Sequence, residues 1–368
     1  MSRTDRKELE LTDEQVYRNL PFLSYSALKD FDTSPMKFYK KHILKQEEKT
    51  KDDIEREALI LGNIVDGLTT LSQIDFDKKF STIDCIRGNG QLWDVGDYLW
   101  ILVQNAIKRG EDYVFTDLFN KAFDFIKYDK NGKEVAFKGK TCDFALESFD
   151  GSDVEALFKE RKEKIGQDII TYQELQKAET IKEVLMNTTW TRDILNKATT
   201  KDFEVIKQLQ CTFTVSKTPI KSMLDLVHVN HKKKTIKPYD IKCSWAVQFF
   251  SRQYMKMKYY LQIGTYYMNL RDWADNNKMG DYEIEAPSFI VADSTLQVKP
   301  LIWDTTMQNV AEGYSGFETK NGYKYRGVEQ LVRDIEWHIK MDDFAITKEA
   351  YEREGHMLIY PFESYGDE

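Results

Sequence analysis

The sequence predicts an α/β fold in which a mixed central sheet is flanked by helices. Three observations indicate this: helical patterns come first, three strand-like segments follow between residues 203 and 242, and a long aromatic helix succeeds them. The chain has 368 residues, 41% of them hydrophobic and 13% aromatic, so it can bury a sizeable core and is not disordered. We expect one main domain over residues 21–345, after a charged extension at 1–20 and before a tail at 346–368.

The first helices are marked by their capping and breaking residues. The segment SYSALKDFDTSP begins a helix for which Ser26 is the expected N-cap, and Pro35 separates it from a short helix that carries Tyr39. Residues 57–71 predict a mostly buried helix whose apolar run contains one acid, Asp66.

Residues 80–160 are predicted to be an insertion into this domain. Within it, Asn131-Gly132 is a typical hairpin signal between two strands. After it, residues 171–187 predict a helix that begins with a capping box at Thr171.

The remaining elements follow from hydrophobic periodicity. Pro238 is unusual in a central strand, so we expect a bulge or bend there. The predicted strands are 203–215, 223–230, 235–242, 288–294 and 296–304, and the predicted helices are 245–273 and 327–340.

The sequence also predicts the cellular compartment of the protein. No stretch approaches the roughly 18 apolar residues of a membrane span, and the charged N-terminus is not a secretory signal. The four cysteines lie far apart, which favours reduced thiols. We expect a cytoplasmic protein, in the host cytoplasm if it is viral, with no membrane partner.

The charge distribution favours a polyanionic partner despite the net charge of −8. Residues 201–260 hold 12 Lys and Arg against 4 Asp and Glu, which gives +8 and leaves −16 for the rest of the chain. Such a field can steer a polyanion towards one surface and discourage unspecific binding elsewhere. The alternative is a lysine-rich hairpin that is merely solvated.

The segment 221–242, KSMLDLVHVNHKKKTIKPYDIK, carries the strongest chemical signal. Alternation along a strand puts Asp240 and Lys242 on one face, and the hairpin can bring Asp225 beside them. Two carboxylates and an ammonium at one sheet end can hold a divalent cation, orient water and cut a phosphodiester. An acid-x-Lys triplet alone is weak evidence, and outward-facing acids on a surface hairpin remain the alternative.

Two further observations concern the flanking residues. Gln262 and Tyr266 are four residues apart on the following helix and share a face, although ordinary packing would also explain them. His228 and His231 fit H-x-x-H, but strand and turn geometry favours surface histidines over a zinc site.

In these motifs and their order, the chain resembles the PD-(D/E)XK nucleases, in particular the RecB-like branch and the exonuclease VIII group of phage recombination nucleases. The resemblance covers roughly Leu23 to Lys340. The pieces that carry it are SYSALKDFDTSPMKFY, Gly62 to Asp66, Asp225, Asp240-Ile241-Lys242 and Tyr259 to Tyr266.

The resemblance implies a restriction-endonuclease-like fold and a metal-dependent deoxyribonuclease. Asp225 and Asp240 would coordinate Mg²⁺ or Mn²⁺, with the Ile241 carbonyl and Asp66 completing the shell. Lys242 would orient or deprotonate the attacking water. Some members of the family carry an acid near the position of Glu204, which would then be an outer ligand. Residues expected to position the DNA strand or contact its phosphates are Gln262, Tyr266, Tyr259, Ser26, Tyr39, Lys232, Lys233, Lys234, Lys256 and Lys258.

One position departs from the family pattern. Asp66 stands where the family has a metal-facing histidine. A carboxylate is a harder ligand that suits Mg²⁺ or Mn²⁺, but the exchange could also weaken a second metal site, or Asp66 could simply face water.

The resemblance also implies 5′-to-3′ degradation of duplex ends, a single-strand annealing protein as partner and a ring-like homo-oligomer around DNA. Two alternatives stay open. One is an endonuclease of the same superfamily, and the other is a catalytically inactive DNA-binding protein that retains the fold.

Overall fold

The structure, a computed structural model, describes residues 13–359 apart from 46–56 and the single positions 86, 89, 130 and 321. Within these residues, a central sheet of six strands is packed with helices, which confirms the predicted mixed α/β class.

The helices and strands are numbered in chain order. Helices α1 to α16 are Asp13–Asn19, Tyr25–Thr33, Pro35–Phe38, Glu57–Thr70, Gln73–Lys79, Gln91–Arg109, Phe115–Lys127, Cys142–Phe149, Asp153–Glu163, Tyr172–Asn187, Thr189–Leu195, Phe250–Lys256, Tyr259–Asn276, Met307–Ser315, Val328–Met341 and Lys348–Glu352. Strands β1 to β10 are Phe80–Ile83, Asp168–Thr171, Phe203–Val215, Thr218–Asn230, Thr235–Ser244, Glu283–Ile284, Ser288–Asp293, Leu301–Asp304, Phe317–Glu318 and Lys324–Tyr325. A π-helical turn covers Tyr39–Ile43 and a 3₁₀ turn covers Val247–Phe249.

The central sheet runs in the order β3-β4-β5-β7-β8, and β6 pairs with the start of β5. Strands β3, β4 and β5 form an antiparallel meander, whereas β5 and β7 are parallel. Parallel neighbours need a crossover connection, and helices α12 and α13 lie in the connection between them. The same crossover therefore places α13 beside the strands that carry the predicted site.

Helices cover both faces of this sheet. On one face, α4 and α10 pack Ile64 and Ile181 against Ile241 of β5. On the other face, α13 packs Leu270 against Val227 of β4. The candidate residues Asp66, on α4, and Gln262, on α13, therefore approach the sheet from opposite sides.

Helices α6 to α9 bury a core of their own within the predicted insertion. Val95, Leu99, Phe119, Phe123 and Phe149 are each at most 2% exposed and contribute to it. Strands β1 and β2, on either side of these helices, pair in parallel with each other.

The strand hairpin predicted at Asn131-Gly132 is wrong. In the described residues, only an isolated bridge between Tyr128 and Glu134 forms there. The Asp129 carboxylate accepts the backbone N–H groups of residues 131 and 133 at 2.9 Å. These local hydrogen bonds form a turn in place of a strand ladder.

The predicted N-cap of α2 is also wrong by two residues. Ser24 has an extended backbone, and its hydroxyl accepts the N–H of Ala27 at 3.4 Å, so it caps the helix. Ser26 lies in the first turn, exposed, with its hydroxyl 2.9 Å from that of Ser24.

The continuous helix predicted over 245–273 is broken between α12 and α13. Lys258 adopts a left-handed backbone with φ of 58° at the break. Two contacts hold it: the Tyr25 hydroxyl donates to the Met257 carbonyl, and Lys258 forms an ion pair with Asp32.

The bulge predicted at Pro238 does not form. Pro238 pairs in register with Val227 on one edge of β5. On the other edge, the partner changes from β6, which ends opposite Ile236, to β7, which starts opposite Tyr239. Pro238 falls in this gap, where its missing N–H leaves no ladder bond unmade.

The strand predicted over 296–304 begins only at Leu301. The Asp293 carboxylate accepts three backbone N–H groups from residues 295–298 and closes a turn before it. Side-chain bonds of this kind compete with strand formation.

The predicted terminal segments are partly structured. Residues 1–12 and 360–368 lie outside the described residues, but α1 belongs to the extension and α16 to the tail. The Tyr17 hydroxyl donates to the carbonyls of Cys211 and Ser222 at 2.7 and 2.8 Å, which joins α1 to β3 and β4. None of the described helices combines the length and apolarity needed to cross a membrane.

Substituting Phe119→Ala should destabilise helices α6 to α9 selectively. Emptying a fully buried phenylalanine site costs about 3–5 kcal/mol, and this core is built from residues 92–158 alone. Hydrogen exchange should show lost protection in α6 to α9 with little change in β3 to β5. The 43% exposed Phe144 provides the control Phe144→Ala, and equal loss of protection in the central sheet would contradict the separate core.

Candidate active site at the end of a strand ladder

The ladder between β4 and β5 ends within the sheet. Its pairs run from Asn230 with Thr235 to Leu226 with Tyr239. At the next step the Asp225 carboxylate accepts the backbone N–H of Ile241 at 2.8 Å. A side chain therefore takes over from the backbone in joining the two strands.

The alternation of side chains between the two faces of the sheet is interrupted at the same level. On β4, Leu224 and Val227 both pack on the α13 side although they are three residues apart. On β3, Ile206 and Leu209 do the same. Strict alternation would put residues three apart on opposite faces. The alternation is therefore interrupted once on β4, between Leu224 and Val227, and once on β3, between Ile206 and Leu209.

Gln208 lies where β3 is interrupted. It falls opposite Asp225, between the pairs Lys207–Leu226 and Leu209–Leu224 of β3 and β4. Its φ is 50°, which is costly for a residue with a side chain. Its side-chain Nε2 donates to both carboxylate oxygens of Asp66, at 3.1 and 3.3 Å, and to the Thr70 hydroxyl at 2.7 Å. Its amide oxygen is buried without a partner among the described residues.

Asp240 is the most enclosed carboxylate of the site, with 1% exposure. Its Oδ1 accepts from Gln262 Nε2 at 2.8 Å and from the Tyr266 hydroxyl at 3.0 Å. Gln262 also donates to Tyr266 at 2.7 Å, so the two α13 residues lie on one face as their spacing predicts. Together they fix the orientation of Asp240.

Lys242 pairs with the other oxygen of Asp240, at 2.5 Å between Nζ and Oδ2. Its ammonium also lies 5.2 Å from the centre of the Tyr259 ring, in a cation–π arrangement. Burial alone would lower the pKa of Lys242, but Asp240, Tyr259 and Asp225 outweigh it and raise that pKa. Lys242 is therefore an ammonium at neutral pH, which donates hydrogen bonds and cannot take a proton in this state.

The carboxylates of the site destabilise one another. Burial, followed by the charges of Asp66 and Asp240, raises the pKa of Asp225 well above its usual range. Burial also raises the pKa of Asp66, and Asp240 adds to this against the opposing effect of Lys79 and Lys242. The charges of the three acids therefore act on one another, although Asp66 comes from the α4 side of the sheet and stays partly exposed.

This charge balance fits a hard divalent cation. The charges of Asp66 and Asp240 both act on Asp225, Lys242 pairs with Asp240, and a cation would relieve the repulsion among the carboxylates. Across the described ranges, no three His, Cys, Asp or Glu side chains converge closely enough to enclose a metal ion unaided. Mg²⁺ does not require such a cage, because it is commonly held by one or two carboxylates, waters and substrate phosphates.

A group of cations that the sequence analysis missed surrounds Asp30, and one of them, Lys29, interacts with the charge of Lys242. Asp30 is buried and pairs with Lys37 at 3.3 Å and Lys41 at 2.9 Å. Lys29 makes no ion pair within the described part of the chain. Burial lowers the pKa of Lys29, and the charges of Lys37, Lys41 and Lys242 lower it further against Asp30.

Other predicted DNA contacts lie away from this site. The exposed turn that carries Lys232, Lys233 and Lys234 lies beyond Asn230 and Thr235, which are five residues along the strands from Asp225 and Asp240, or about 17 Å at 3.3 Å per residue. Lys234 is engaged by Asp281. Their role as phosphate contacts remains a prediction, and any such contact would lie away from the reacting centre.

The remaining predicted residues have varied surroundings. Lys256 is exposed at the end of α12, whereas Lys258 is paired with Asp32. Tyr39 stacks on Phe344, with ring centres 4.6 Å apart.

The histidines and Glu204 lie outside the site. His228, expected at the surface, is 8% exposed between the rings of Phe203 and Tyr239, and burial lowers its pKa to about 4. His231 lies 3.6 Å from Glu204, at the turn end of the meander. These residues provide no ligand to the carboxylate group.

Nothing in the sequence of β3 distinguishes Gln208 from Gln210. The positive φ cannot be inferred from a glutamine, and only the register shows that Gln208 lies opposite Asp225. Lys29 could not be identified from the sequence either, because it interacts with the charge of Lys242 from a distant part of the chain.

Comparisons with known proteins add little to this geometry. Neither a family model nor a curated protein matches the chain. Among solved structures, a protein from Eubacterium rectale named "Putative exonuclease" matches with a TM-score of 0.43 and 12% identity over 96% of each chain. A similarity of this size supports no argument about function, which must come from the residues themselves.

Substituting Asp225→Asn should flatten the pH dependence of stability in the metal-free protein. A carboxyl whose pKa is raised on folding stabilises the protein at low pH, and that contribution is lost as the pH rises from about 4 through the folded value. Asn keeps the acceptor for Ile241 and removes the charge. Chemical denaturation in a chelator, at pH 4 to 8, should show the variant gaining stability relative to wild type as the pH rises. Asp193→Asn, at an exposed site, should leave the wild-type curve, and a parallel Asp225→Asn curve would contradict the raised pKa.

Substituting Gln208→Ala should weaken binding of Mn²⁺ by about ten- to a hundredfold, because it removes the donor that orients Asp66. Isothermal titration calorimetry without DNA measures this directly. Gln210→Ala, two residues further along β3 at an exposed position, is the matched control and should bind as wild type does. Equal affinities for all three proteins would show that Gln208 has no part in the site.

Proposed function

We propose that this protein is a divalent-metal-dependent deoxyribonuclease that degrades DNA from duplex ends. The observation that carries the proposal is the grouping of Asp225, Asp240 and Lys242 where the β4–β5 ladder ends. The motif resemblance to the PD-(D/E)XK nucleases supports the same chemistry.

The residues available to hold Mg²⁺ or Mn²⁺ are Asp225, Asp240, the Ile241 carbonyl and Asp66. When bound, such a cation polarises the phosphoryl group and makes water a stronger nucleophile. The chain itself supplies the orientation of the ligands. Gln262 and Tyr266 hold one oxygen of Asp240, and Gln208 holds Asp66.

Lys242 has a separate role in this proposal. Its side chain is 22% exposed while Asp240 is enclosed, so the ammonium is the part of the pair that substrate can reach. As an ammonium it donates hydrogen bonds to the attacking water or to a phosphate oxygen that gains charge in the transition state. The Tyr259 ring supports it from the side.

Lys29, Lys37 and Lys41 suit the approach of a DNA backbone. Lys29 combines a partly buried position with a positive neighbourhood that includes Lys242. A phosphate there would relieve repulsion among the lysines and add a charge-assisted hydrogen bond. We therefore assign Lys29, with Lys37 and Lys41, to the phosphates next to the cut bond.

The preference for duplex ends, the 5′-to-3′ direction, an annealing-protein partner and a ring-like oligomer rest on the family resemblance. An endonuclease of the same superfamily would use the same residues. The two activities differ in whether covalently closed circles are cut.

A second candidate function is DNA binding without hydrolysis. The absence, in the described residues, of three acids close enough to enclose a metal favours it, as does Asp66 at the position where related nucleases carry histidine. Nuclease assays with Mg²⁺ and with Mn²⁺ separate the two functions.

Substituting Lys242→Ala or Asp240→Asn should reduce hydrolysis of linear duplex DNA by at least about 10²–10³-fold, because each removes a charged group from the reacting centre. Both should retain duplex binding. Glu179→Gln, at an exposed position of α10, is the control and should retain activity. Closed circles should survive while linear DNA is degraded. Rapid loss of circles would favour the endonuclease, and equal inactivity of wild type and variants with intact binding would favour the DNA-binding function.

A further inference from the structure

Two aromatic side chains are presented to solvent beside the candidate active site. Trp245 is 72% exposed and Phe249 is 57% exposed. The Trp245 ring has no hydrogen bond or ring contact in the part of the chain that the structure describes. Exposing two large rings in one short segment is unfavourable in water, so they require an explanation.

Their outward position is built into the fold. Val247 and Phe250, which alternate with them, are each 1% exposed and anchor the segment in a core with Phe289 and Ile263. The Trp303 side chain donates to the Val247 carbonyl at 3.1 Å. The two exposed rings are therefore carried on a fixed turn.

This turn is tied to the candidate active site. Trp245 follows Lys242 by three residues, which places it within about 10 Å along the strand. Phe250 stacks on Tyr259 with ring centres 5.6 Å apart, and Tyr259 in turn lies beside the Lys242 ammonium. The turn that carries the exposed rings is therefore connected to the reacting centre through Phe250 and Tyr259.

The charges around the rings favour nucleic acid over an apolar protein surface. The segment 241–258 contains no Asp or Glu. Arg252 lies 5.7 Å from the Phe249 ring, and Arg252 and Lys256 are both exposed. Neither forms an ion pair with a carboxylate among the described residues. Exposed rings interleaved with free cations are the arrangement that binds single-stranded nucleic acid without sequence preference.

We propose that Trp245 and Phe249 form a stacking platform for unpaired bases of a DNA strand, with Arg252 and Lys256 contacting its phosphates. The platform deepens the proposed function and rests on it, because it would hold the frayed end of a duplex next to the Asp225–Asp240 site. It assigns to this surface a ligand class, single-stranded DNA, that the duplex-end preference alone does not require.

Equilibrium binding in a chelator tests the platform independently of hydrolysis. Fluorescence anisotropy would compare a labelled oligo-dT strand, a duplex with a single-stranded tail and a blunt duplex. Trp245→Ala should weaken binding of the first two by about tenfold, with a smaller effect on the blunt duplex. Trp245→Phe should retain most of the affinity because a ring remains. Tyr172→Ala, which removes a 53% exposed ring from α10, should bind as wild type does.

Salt dependence separates stacking from charge. Trp245→Ala should leave the slope of affinity against salt unchanged, whereas Arg252→Ala should reduce it by about one phosphate contact. Photocrosslinking of the wild-type protein to an oligonucleotide containing 5-iodouracil gives a readout that needs no variant. The crosslinked peptide should contain Trp245 or Phe249.

The outcomes distinguish this proposal from the nuclease proposal. Single-strand binding that depends on Trp245, without any hydrolysis, would retain the platform and reject the nuclease. Hydrolysis together with unchanged single-strand binding by Trp245→Ala, or crosslinks found only elsewhere, would reject the platform. A change in oligomeric state upon Trp245→Ala, without loss of single-strand affinity, would also reject it and identify the surface as a contact between copies of the chain.

Discussion

The feature on which the rest of the structure depends is the early end of the β4–β5 ladder. Beyond Leu226 and Tyr239 the strands no longer pair, and the Asp225 carboxylate bonds to the backbone of Ile241. Asp240 and Lys242 then project from the same edge towards α13. An unbroken ladder would bury these charges in a continuous sheet, whereas the opening gathers carboxylates and leaves the amine within reach of solvent.

The surrounding structure compensates for this concentration of charge. Gln262 and Tyr266 satisfy Asp240 from one side of the sheet, and Gln208 satisfies Asp66 from the other. Gln208 does so in a strained backbone conformation at the level where two strands change face. Strain of this kind persists only where the neighbouring structure fixes it. Burial first, and then repulsion between the acids, raises the pKa values of Asp225 and Asp66, and a bound cation would oppose both effects.

The sequence was informative where local pattern decides structure. The meander, the capping box at Thr171 and the shared face of Gln262 and Tyr266 follow from periodicity and spacing. It was misleading where distant contacts decide. The break before α13 depends on Asp32 and Tyr25, more than 200 residues away. Likewise, the hairpin lysines stood out by composition, whereas the charge of Lys242 acts on Lys29 only through the tertiary fold.

The central claim is that the opened ladder binds a divalent cation between Asp225 and Asp240. Anomalous diffraction from crystals of the protein soaked in Mn²⁺ tests it most directly, because it locates the metal without relying on turnover. A cation bound there would give a peak about 2–2.3 Å from a carboxylate oxygen of each residue, with Asp66 in the same shell directly or through water. A well-occupied peak elsewhere, with Asp240 still bonded only to Lys242, Gln262 and Tyr266, would contradict it.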